Sequence, residues 1–175
     1  IRAIRARTAS GTLNINTNAS NPRSLQRLYD AGLDSLRAST ISARRETYDA
    51  YYRPIGYTFE HVKRSLILAR EAGVYSSINL LCFPGLIDAE DEIAALVAFL
   101  KETGVRLVQL RNLNIDPEVL LPRIPTPAGR PLGMRVLVET LRREAPDVAI
   151  GNFSRPVKRA VPAPAAGAPE PAPLA

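Results

Sequence analysis

The sequence has very few cysteine and histidine residues and no tryptophan. Its 175 residues include one cysteine and one histidine. A single thiol excludes an internal disulfide and a cysteine cluster within this chain. No apolar run reaches the ~18 residues that a membrane-spanning helix needs. The first segment, IRAIRARTASG, also lacks the apolar core of a secretory signal. We therefore expect no membrane partner, and the cytoplasm as the compartment.

Positive charge exceeds negative charge, with a formal net charge of +6 at pH 7. Three short groups of arginine stand out: Arg2/Arg5/Arg7, Arg44/Arg45 and Arg142/Arg143. A nucleic-acid surface needs a continuous basic stripe with interleaved aromatic residues. These groups are instead scattered through predicted helices and loops. We interpret them as solvent-facing charge and predict no nucleic-acid partner.

Strand and helix patterns alternate along the chain. The predicted strands are Thr12–Thr17, Ser35–Thr40, Tyr75–Phe83 and Arg106–Leu113, with a short fifth at Val148–Phe153. The first segment is predicted as a helix from Ile1 to a cap at Gly11, and another helix lies near Met134–Arg143. The remaining helices are predicted to follow the caps Asn21, Thr58 and Asp88 and to end at Gly32, Gly73 and Gly104. This alternation predicts a parallel sheet with helical crossovers.

The predicted fold class is therefore α/β, a partial (β/α) TIM-like barrel in the form of an open half-barrel. Hydrophobic residues make up 46% of the chain, which is enough for a packed core. We assign residues 1–155 to this domain. We expect residues 156–175, rich in proline and alanine, to form a disordered tail because they have little to bury.

One face of the predicted sheet is polar. Alternate strand residues share a face. One parity consists of Asn14, Asn16, Asn18, Arg37, Ser39, Ser77, Asn79, Gln109 and Arg111. A closed barrel normally fills its interior with Val, Ile and Leu. Each unsatisfied buried polar group costs ~1–3 kcal/mol. We therefore expect water or a polar ligand on this face, the alternative being that these side chains satisfy one another.

Five segments in order resemble the radical S-adenosylmethionine (radical SAM) family. They are INTNAS, LDSLRASTIS, ETYDAYYRPIGYTFEHVKRSLILAREAGV, SINLLCFPGLIDAEDE and VRLVQLRNLNIDPE. INTNAS is similar to the family's third-strand "TNG" signature, with Ala19 in place of glycine. The next three are similar to the fourth strand, the "YRP-x-G-x-x-F-x-x-V" helix start and the "PG-x-x-D-x-x-E" loop. The last is similar to the sixth strand. The resemblance covers residues 11–118, with a weaker similarity to residue 153.

The resemblance implies two cofactors, SAM and a [4Fe–4S] cluster. In the family, three cysteines spaced C-x-x-x-C-x-x-C hold the cluster, whose open iron chelates SAM. One-electron reduction then gives a 5′-deoxyadenosyl radical that abstracts a substrate hydrogen. This motif is absent here, as is the glycine–glycine–glutamate motif that holds the SAM amine. We expect both upstream of residue 1. The complete enzyme would take electrons from a ferredoxin or flavodoxin and act on an unidentified small molecule or peptide.

The candidate cofactor-binding residues are Ser39, Asn18, Thr17, Asn79, Arg111 and Asn112. The resemblance implies a SAM contact for Ser39, at the end of its strand. Thr17 and Asn18 lie at a strand terminus, and Asn18 points inward by parity. Asn79 and Arg111 are also inward and could instead form an internal network with Gln109. The Asn112 side chain is outward by parity, so the resemblance favours a backbone contact to adenine. No catalytic residue and no metal ligand is assigned.

Two other classes of function remain open. A different (β/α)-barrel enzyme could act on a phosphorylated small molecule, but it would normally need a catalytic Lys, Glu or His at a strand end, and none points inward. The chain could also be a non-catalytic half-barrel remnant or a binding module. The acids at residues 88–92 suit a helix N-terminus better than a metal site, and Cys82 is expected to be a small buried apolar group.

Overall fold

Strands and helices alternate along residues 1–153, the part of the chain described in a computed structural model. The strands are β1 (Asn14–Thr17), β2 (Ser35–Thr40), β3 (Tyr75–Cys82), β4 (Leu107–Asn112) and β5 (Ala149–Ile150). The helices are α1 (Arg2–Arg5), α2 (Pro22–Asp30), α3 (Arg45–Tyr52), α4 (Phe59–Glu71), α5 (Glu90–Thr103), α6 (Pro117–Leu120) and α7 (Met134–Glu144), and a 3₁₀ turn covers Leu121–Arg123. The predicted tail at residues 156–175 lies outside the described residues.

The five strands form one sheet in the order β1-β2-β3-β4-β5, and every neighbouring pair is parallel. Helix α2 packs on α4, α4 on α5 and α5 on α7, so these helices form one layer in the same order as the strands. The apolar core lies between this layer and the sheet. The predicted fold class, a parallel α/β sheet with flanking helices, is confirmed.

Local capping explains where three of the helices begin or end. The Asn21 side chain accepts a hydrogen bond from the Ser24 N–H at 2.9 Å, with Pro22 as the first residue of α2. Thr58 caps α4, and Nδ1 of His61 accepts from the Thr58 N–H at 3.0 Å. Helix α5 ends at Gly104, whose φ of 70° suits glycine best. These starts and stops were predicted from the same residues.

Three predictions about helices are wrong. The first helix covers Arg2–Arg5 and does not continue to Gly11. Helix α3 was not predicted, since Arg44 precedes it without a side-chain cap and offers no start signal. Asp88 does not cap α5, because its carboxylate accepts from the Gly85 N–H at 2.6 Å. The α5 N-terminus is instead satisfied by the proline-rich connection, since the Glu90 N–H donates to the Arg130 carbonyl at 3.1 Å.

The solvent-facing interpretation of the arginine groups is wrong for one arginine in each of two groups, whereas Arg2, Arg7 and Arg45 are exposed. Arg5 forms an ion pair with Asp34, and only 11% of its side chain is exposed. Arg44 pairs with Asp91, and each of these side chains is 25% exposed. Both arginines therefore join parts of the fold that are distant in sequence.

Within residues 1–153, no helix combines the length and the apolar character that crossing a membrane requires.

Candidate functional site

The two sides of the sheet differ as the strand alternation predicted. Residues Leu36, Ala38, Ile78, Leu80 and Val108 are buried in the core beneath the helices. The opposite parity lies on the side that carries no helix layer. We call this side the polar face, and it consists of Asn16, Arg37, Ser39, Ser77, Asn79, Gln109 and Arg111. The helix layer does not cover this face, so its side chains can contact one another or a ligand.

Parallel registration places three of these side chains side by side. Ser39 on β2 is opposite Asn79 on β3, and Asn79 is opposite Gln109 on β4. Neighbouring strands lie ~4.8 Å apart, so one small polar ligand can reach all three side chains. Two of the predicted cofactor contacts, Ser39 and Asn79, are therefore brought together.

Asn79 carries the clearest sign of a missing partner. Its side-chain oxygen is buried and has no hydrogen-bond partner within residues 1–153. A buried acceptor left unsatisfied costs ~1–3 kcal/mol. A ligand with an N–H or O–H donor would remove this cost. The polar face thus has a specific place for a hydrogen-bond donor, which the sequence pattern alone could not identify.

Gln109 and Arg111 are engaged differently. The Gln109 amide nitrogen donates to the carbonyl of Phe153, and Nη2 of Arg111 donates to the Gln109 Oε1 at 3.5 Å. Gln109 is buried and Arg111 is half-buried. The internal network that was considered as an alternative therefore exists for these two residues. Asn79 has no recorded bond to it.

A tight turn follows β1, and the side chains of two predicted site residues accept backbone hydrogen bonds within it. Thr17 Oγ1 accepts from the Ala19 N–H at 3.1 Å, and the Asn18 side chain accepts from the Ser20 N–H at 3.2 Å. Ala19 is fully buried with a positive φ of 56°. This left-handed conformation favours glycine, which explains why glycine suits that position in the "TNG" signature. The turn is fixed from behind, because the Ser65 hydroxyl donates to the Ala19 carbonyl at 2.8 Å.

Asn112 ends β4 opposite Cys82, which is part of the buried core. By register, Asn112 therefore belongs to the side of the sheet that faces the helices, although the residue itself is exposed. The outward orientation predicted for its side chain agrees with this register, and only its backbone remains available for the contact that the resemblance implies.

A buried carboxylate lies in the first turn of α5, and its burial was missed by the sequence analysis. Glu92 is 3% exposed and accepts hydrogen bonds from the hydroxyls of Ser42, at 2.6 Å, and Thr47, at 2.9 Å. Arg44 lies 3.9 Å from Glu92 and pairs with Asp91. We call these five residues the Glu92 cluster. It joins the loop after β2, which follows Ser39, to the start of α5.

The two acids of the cluster respond oppositely to their surroundings. Burial raises the pKa of Glu92, and the hydrogen bonds from Ser42 and Thr47 and the charge on Arg44 only partly offset it. Burial also acts to raise the pKa of Asp91. Backbone hydrogen bonds from Ala128 and Gly129, together with Arg44, outweigh it and hold that pKa below its ordinary value. Asp91 therefore holds the proline-rich connection as a carboxylate.

The residues present do not fit an iron–sulfur cluster. Cys82 is the one cysteine of the chain, and it is buried in the core, where burial raises the pKa of its thiol. No group of three His, Cys, Asp or Glu side chains within residues 1–153 could hold a metal ion. A [4Fe–4S] cluster needs several thiolate ligands. The polar face, by contrast, fits a polar organic ligand such as SAM, since it offers hydroxyl and amide groups and a buried acceptor.

The fold and the site define a parallel α/β protein with a polar ligand face beside the carboxyl ends of its strands. No family model and no curated protein matches the sequence. Among solved structures, the chain resembles HydG, described as a maturase of the [FeFe]-hydrogenase. The TM-score is 0.55 at 19% identity, over 79% of this chain and 32% of that one.

Two further solved structures are similar. A radical SAM methyltransferase from Sphaerobacter thermophilus matches with a TM-score of 0.52 and 17% identity, over 81% of this chain and 40% of that one. Streptococcus suis SuiB bound to S-adenosylmethionine matches with a TM-score of 0.51 and 16% identity, over 81% of this chain and 32% of that one.

These similarities establish the fold. The chain has the fold of part of each of these structures, one of which is a radical SAM methyltransferase, so the fold that the resemblance implied is confirmed. It spans 32% to 40% of the length of these three enzymes. Their identities to this chain, 16% to 19%, do not carry over any individual reaction.

Proposed function

We propose that this chain forms part of the SAM and substrate cavity of a radical SAM enzyme, with the cluster ligands supplied by sequence outside the chain. The observation that carries this proposal is the unpartnered, buried oxygen of Asn79, which lies beside Ser39 on a sheet face without helices. The fold is also that of SuiB, which has been solved with SAM bound. A polar sheet face with an unused acceptor favours a ligand of this kind over a structural role.

The chain's own contribution is to bind and orient SAM. SAM bound beside a reduced [4Fe–4S] cluster would supply the radical chemistry, and the residues of this chain would position SAM and exclude water. The Asn79 side-chain oxygen accepts a hydrogen bond from a donor on SAM. The Ser39 hydroxyl contacts the ribose or the methionine carboxylate. The backbone at Asn112 meets the adenine, and the β1 turn around Asn18 and Thr17 borders the cavity.

The Glu92 cluster supports this site indirectly. Ser42 is three residues after Ser39, and its hydroxyl donates to the buried carboxylate of Glu92 at 2.6 Å. Because Glu92 belongs to α5, the end of β2 is fixed against a rigid helix. Arg111 and Gln109 form the wall on the β4 side, where their mutual hydrogen bond limits how far each can move.

The substrate, electron donor and compartment belong to the same proposal. A second structure of SuiB was solved with the precursor peptide SuiA, which supports a peptide as the substrate class. A small molecule is the other candidate class. We propose a ferredoxin or flavodoxin as the source of electrons for the complete enzyme and the cytoplasm as its compartment.

Calorimetric titration of the 175-residue chain with SAM tests the proposal. We expect saturable binding that is weakened about tenfold by Asn79→Ala, since one hydrogen bond to a charged or strongly polar ligand contributes ~1.5–3 kcal/mol. Asn14→Ala is the matched control, because Asn14 is an exposed residue at the amino end of β1. Absence of binding to the folded chain, or equal losses in the two variants, would contradict the proposal.

A further inference from the structure

A cleft of about 310 Å³ lies outside the polar face, between the end of α3 and the segment that follows β4. Its apolar wall includes Tyr51, Ile115 and Leu120. Two arginines, Arg53 and Arg123, also line it, and none of its lining residues is acidic. The cleft therefore combines an apolar surface with two positively charged side chains.

The position of the cleft relates it to the proposed cavity. One wall belongs to the connection that leaves the carboxyl end of β2, and the other to the connection that leaves the carboxyl end of β4. Sheets of parallel strands place their ligands at this edge. A molecule held in the cleft would thus lie at the same edge of the sheet as the proposed cavity.

The two connections that form the cleft also carry exposed apolar side chains. Six large apolar residues within the described part of the chain are exposed, and three of them, Ile55, Val119 and Leu121, belong to the two connections that form the cleft. Ile55 is 93% exposed and Leu121 is 54% exposed. Exposed apolar residues that cluster in this way mark interaction sites. The apolar surface therefore extends beyond the cleft itself.

The two guanidinium groups differ from the arginines that stabilise the fold. Arg5 and Arg44 form ion pairs with Asp34 and Asp91. Neither Arg53 nor Arg123 forms an ion pair with another residue of the described part, and the recorded bond of the Arg123 side chain is to the carbonyl of Val119. Arg53 is also held in a left-handed conformation with φ of 46° as the C-cap of α3. Its backbone is strained, and its guanidinium forms no ion pair with a residue of the described part.

From this arrangement we infer that the cleft binds an acidic peptide segment with apolar side chains, which is the substrate of the enzyme. This inference rests on the proposed function for the identity of the substrate. Carboxylates of the peptide pair with Arg53 and Arg123, which present the planar donor pairs that carboxylates match best. Its apolar side chains cover Tyr51, Ile115 and Val119. A small carboxylate would leave the apolar residues outside the cleft uncovered, which is why a peptide fits better.

Fluorescence polarisation with a labelled peptide of leucine and glutamate tests the inference, using the complete 175-residue chain. We expect this peptide to bind and its glutamine counterpart to bind about tenfold more weakly. The double variant Arg53→Gln/Arg123→Gln should lose the preference for glutamate. Arg135→Gln is the control, because 90% of the Arg135 side chain is exposed on α7. Affinity for the acidic peptide should also fall as salt is added.

Three results would overturn the inference. They are equal binding of the glutamate and glutamine peptides, equal losses in the double variant and the Arg135 control, and displacement of the peptide by phenylbutyrate at a matching concentration, which would identify a small carboxylate as the ligand. Titration with SAM on the same preparation separates this result from the proposed function. A chain that binds SAM without the acidic peptide refutes the cleft alone, and one that binds the peptide without SAM refutes the proposed function.

Discussion

The Glu92 cluster and the polar face both bury polar side chains, but only one of them satisfies its own groups. One carboxylate oxygen of Glu92 accepts a hydrogen bond from the Ser42 hydroxyl and the other from the Thr47 hydroxyl. The positively charged Arg44 lies nearby. On the polar face, the Asn79 oxygen is buried without any partner. A buried polar group that the fold satisfies belongs to the scaffold, whereas an unsatisfied one on a sheet face without helices can accept a hydrogen bond from a ligand.

Removing the carboxylate of Glu92 should have the largest effect. In Glu92→Ala, the hydroxyls of Ser42 and Thr47 lose their acceptor, Arg44 loses a charge partner and a cavity remains. We expect the free energy of unfolding to fall by about 2–4 kcal/mol, measured by urea denaturation. Glu90→Ala, an exposed position two residues earlier, should cost below about 1 kcal/mol. Similar losses in the two variants would mean that the cluster does not stabilise the fold.

Replacing Asn79 by leucine should act in the opposite direction on stability. Asn79→Leu removes the unpartnered acceptor and adds apolar surface, so we expect a gain of about 1 kcal/mol in the free energy of unfolding, together with loss of SAM binding. Asn14→Leu is the comparison, because the Asn14 oxygen accepts from the Ser35 hydroxyl at 2.8 Å and should give no gain. If Asn79→Leu destabilises the chain instead, Asn79 is a structural residue and the contrast between the two regions disappears.

The smallest effect should be in the pH dependence of stability. Burial raises the pKa of Glu92, so the folded chain binds more protons than the unfolded chain between the ordinary pKa and the raised one. The contribution of this residue is therefore complete below the ordinary pKa and is lost as pH rises through the raised pKa. Glu92→Gln cannot titrate and should remove this slope. Denaturation of both chains from acidic to neutral pH measures the difference. An advantage of the native chain that grows with pH would mean that Arg44 outweighs burial.

Much of the fold could be predicted because it depends on local signals. Strand β2 has the predicted bounds Ser35–Thr40, and the caps Asn21 and Thr58 start their helices. These features depend on residues a few positions apart. Asp88 was predicted wrongly because a capping residue can satisfy a loop N–H instead, here that of Gly85. The carbonyl of Arg130, which is distant in sequence, accepts from the first N–H of α5 instead.

The candidate site was predictable only in outline. Alternation along the strands placed Ser39 and Asn79 on the same face, and the register brings them side by side. The Glu92 cluster could not be found in this way, because Ser42 and Glu92 are 50 residues apart and no periodicity links them. Nor does any pattern show which amide on a polar face lacks a partner. The partners come from other parts of the chain: the Gln109 amide donates to the Phe153 carbonyl and its oxygen accepts from Arg111.

The order of the strands has a consequence for how the molecule assembles. Each strand pairs only with the strands just before and after it in the sequence. No pairing has to wait for a distant part of the chain, which keeps the relative contact order of the sheet low for a parallel structure. During synthesis, each new strand–helix unit meets an edge that is already formed. Because each added strand pairs only at an edge, the sheet can be extended from either edge without rearranging the strands already in place.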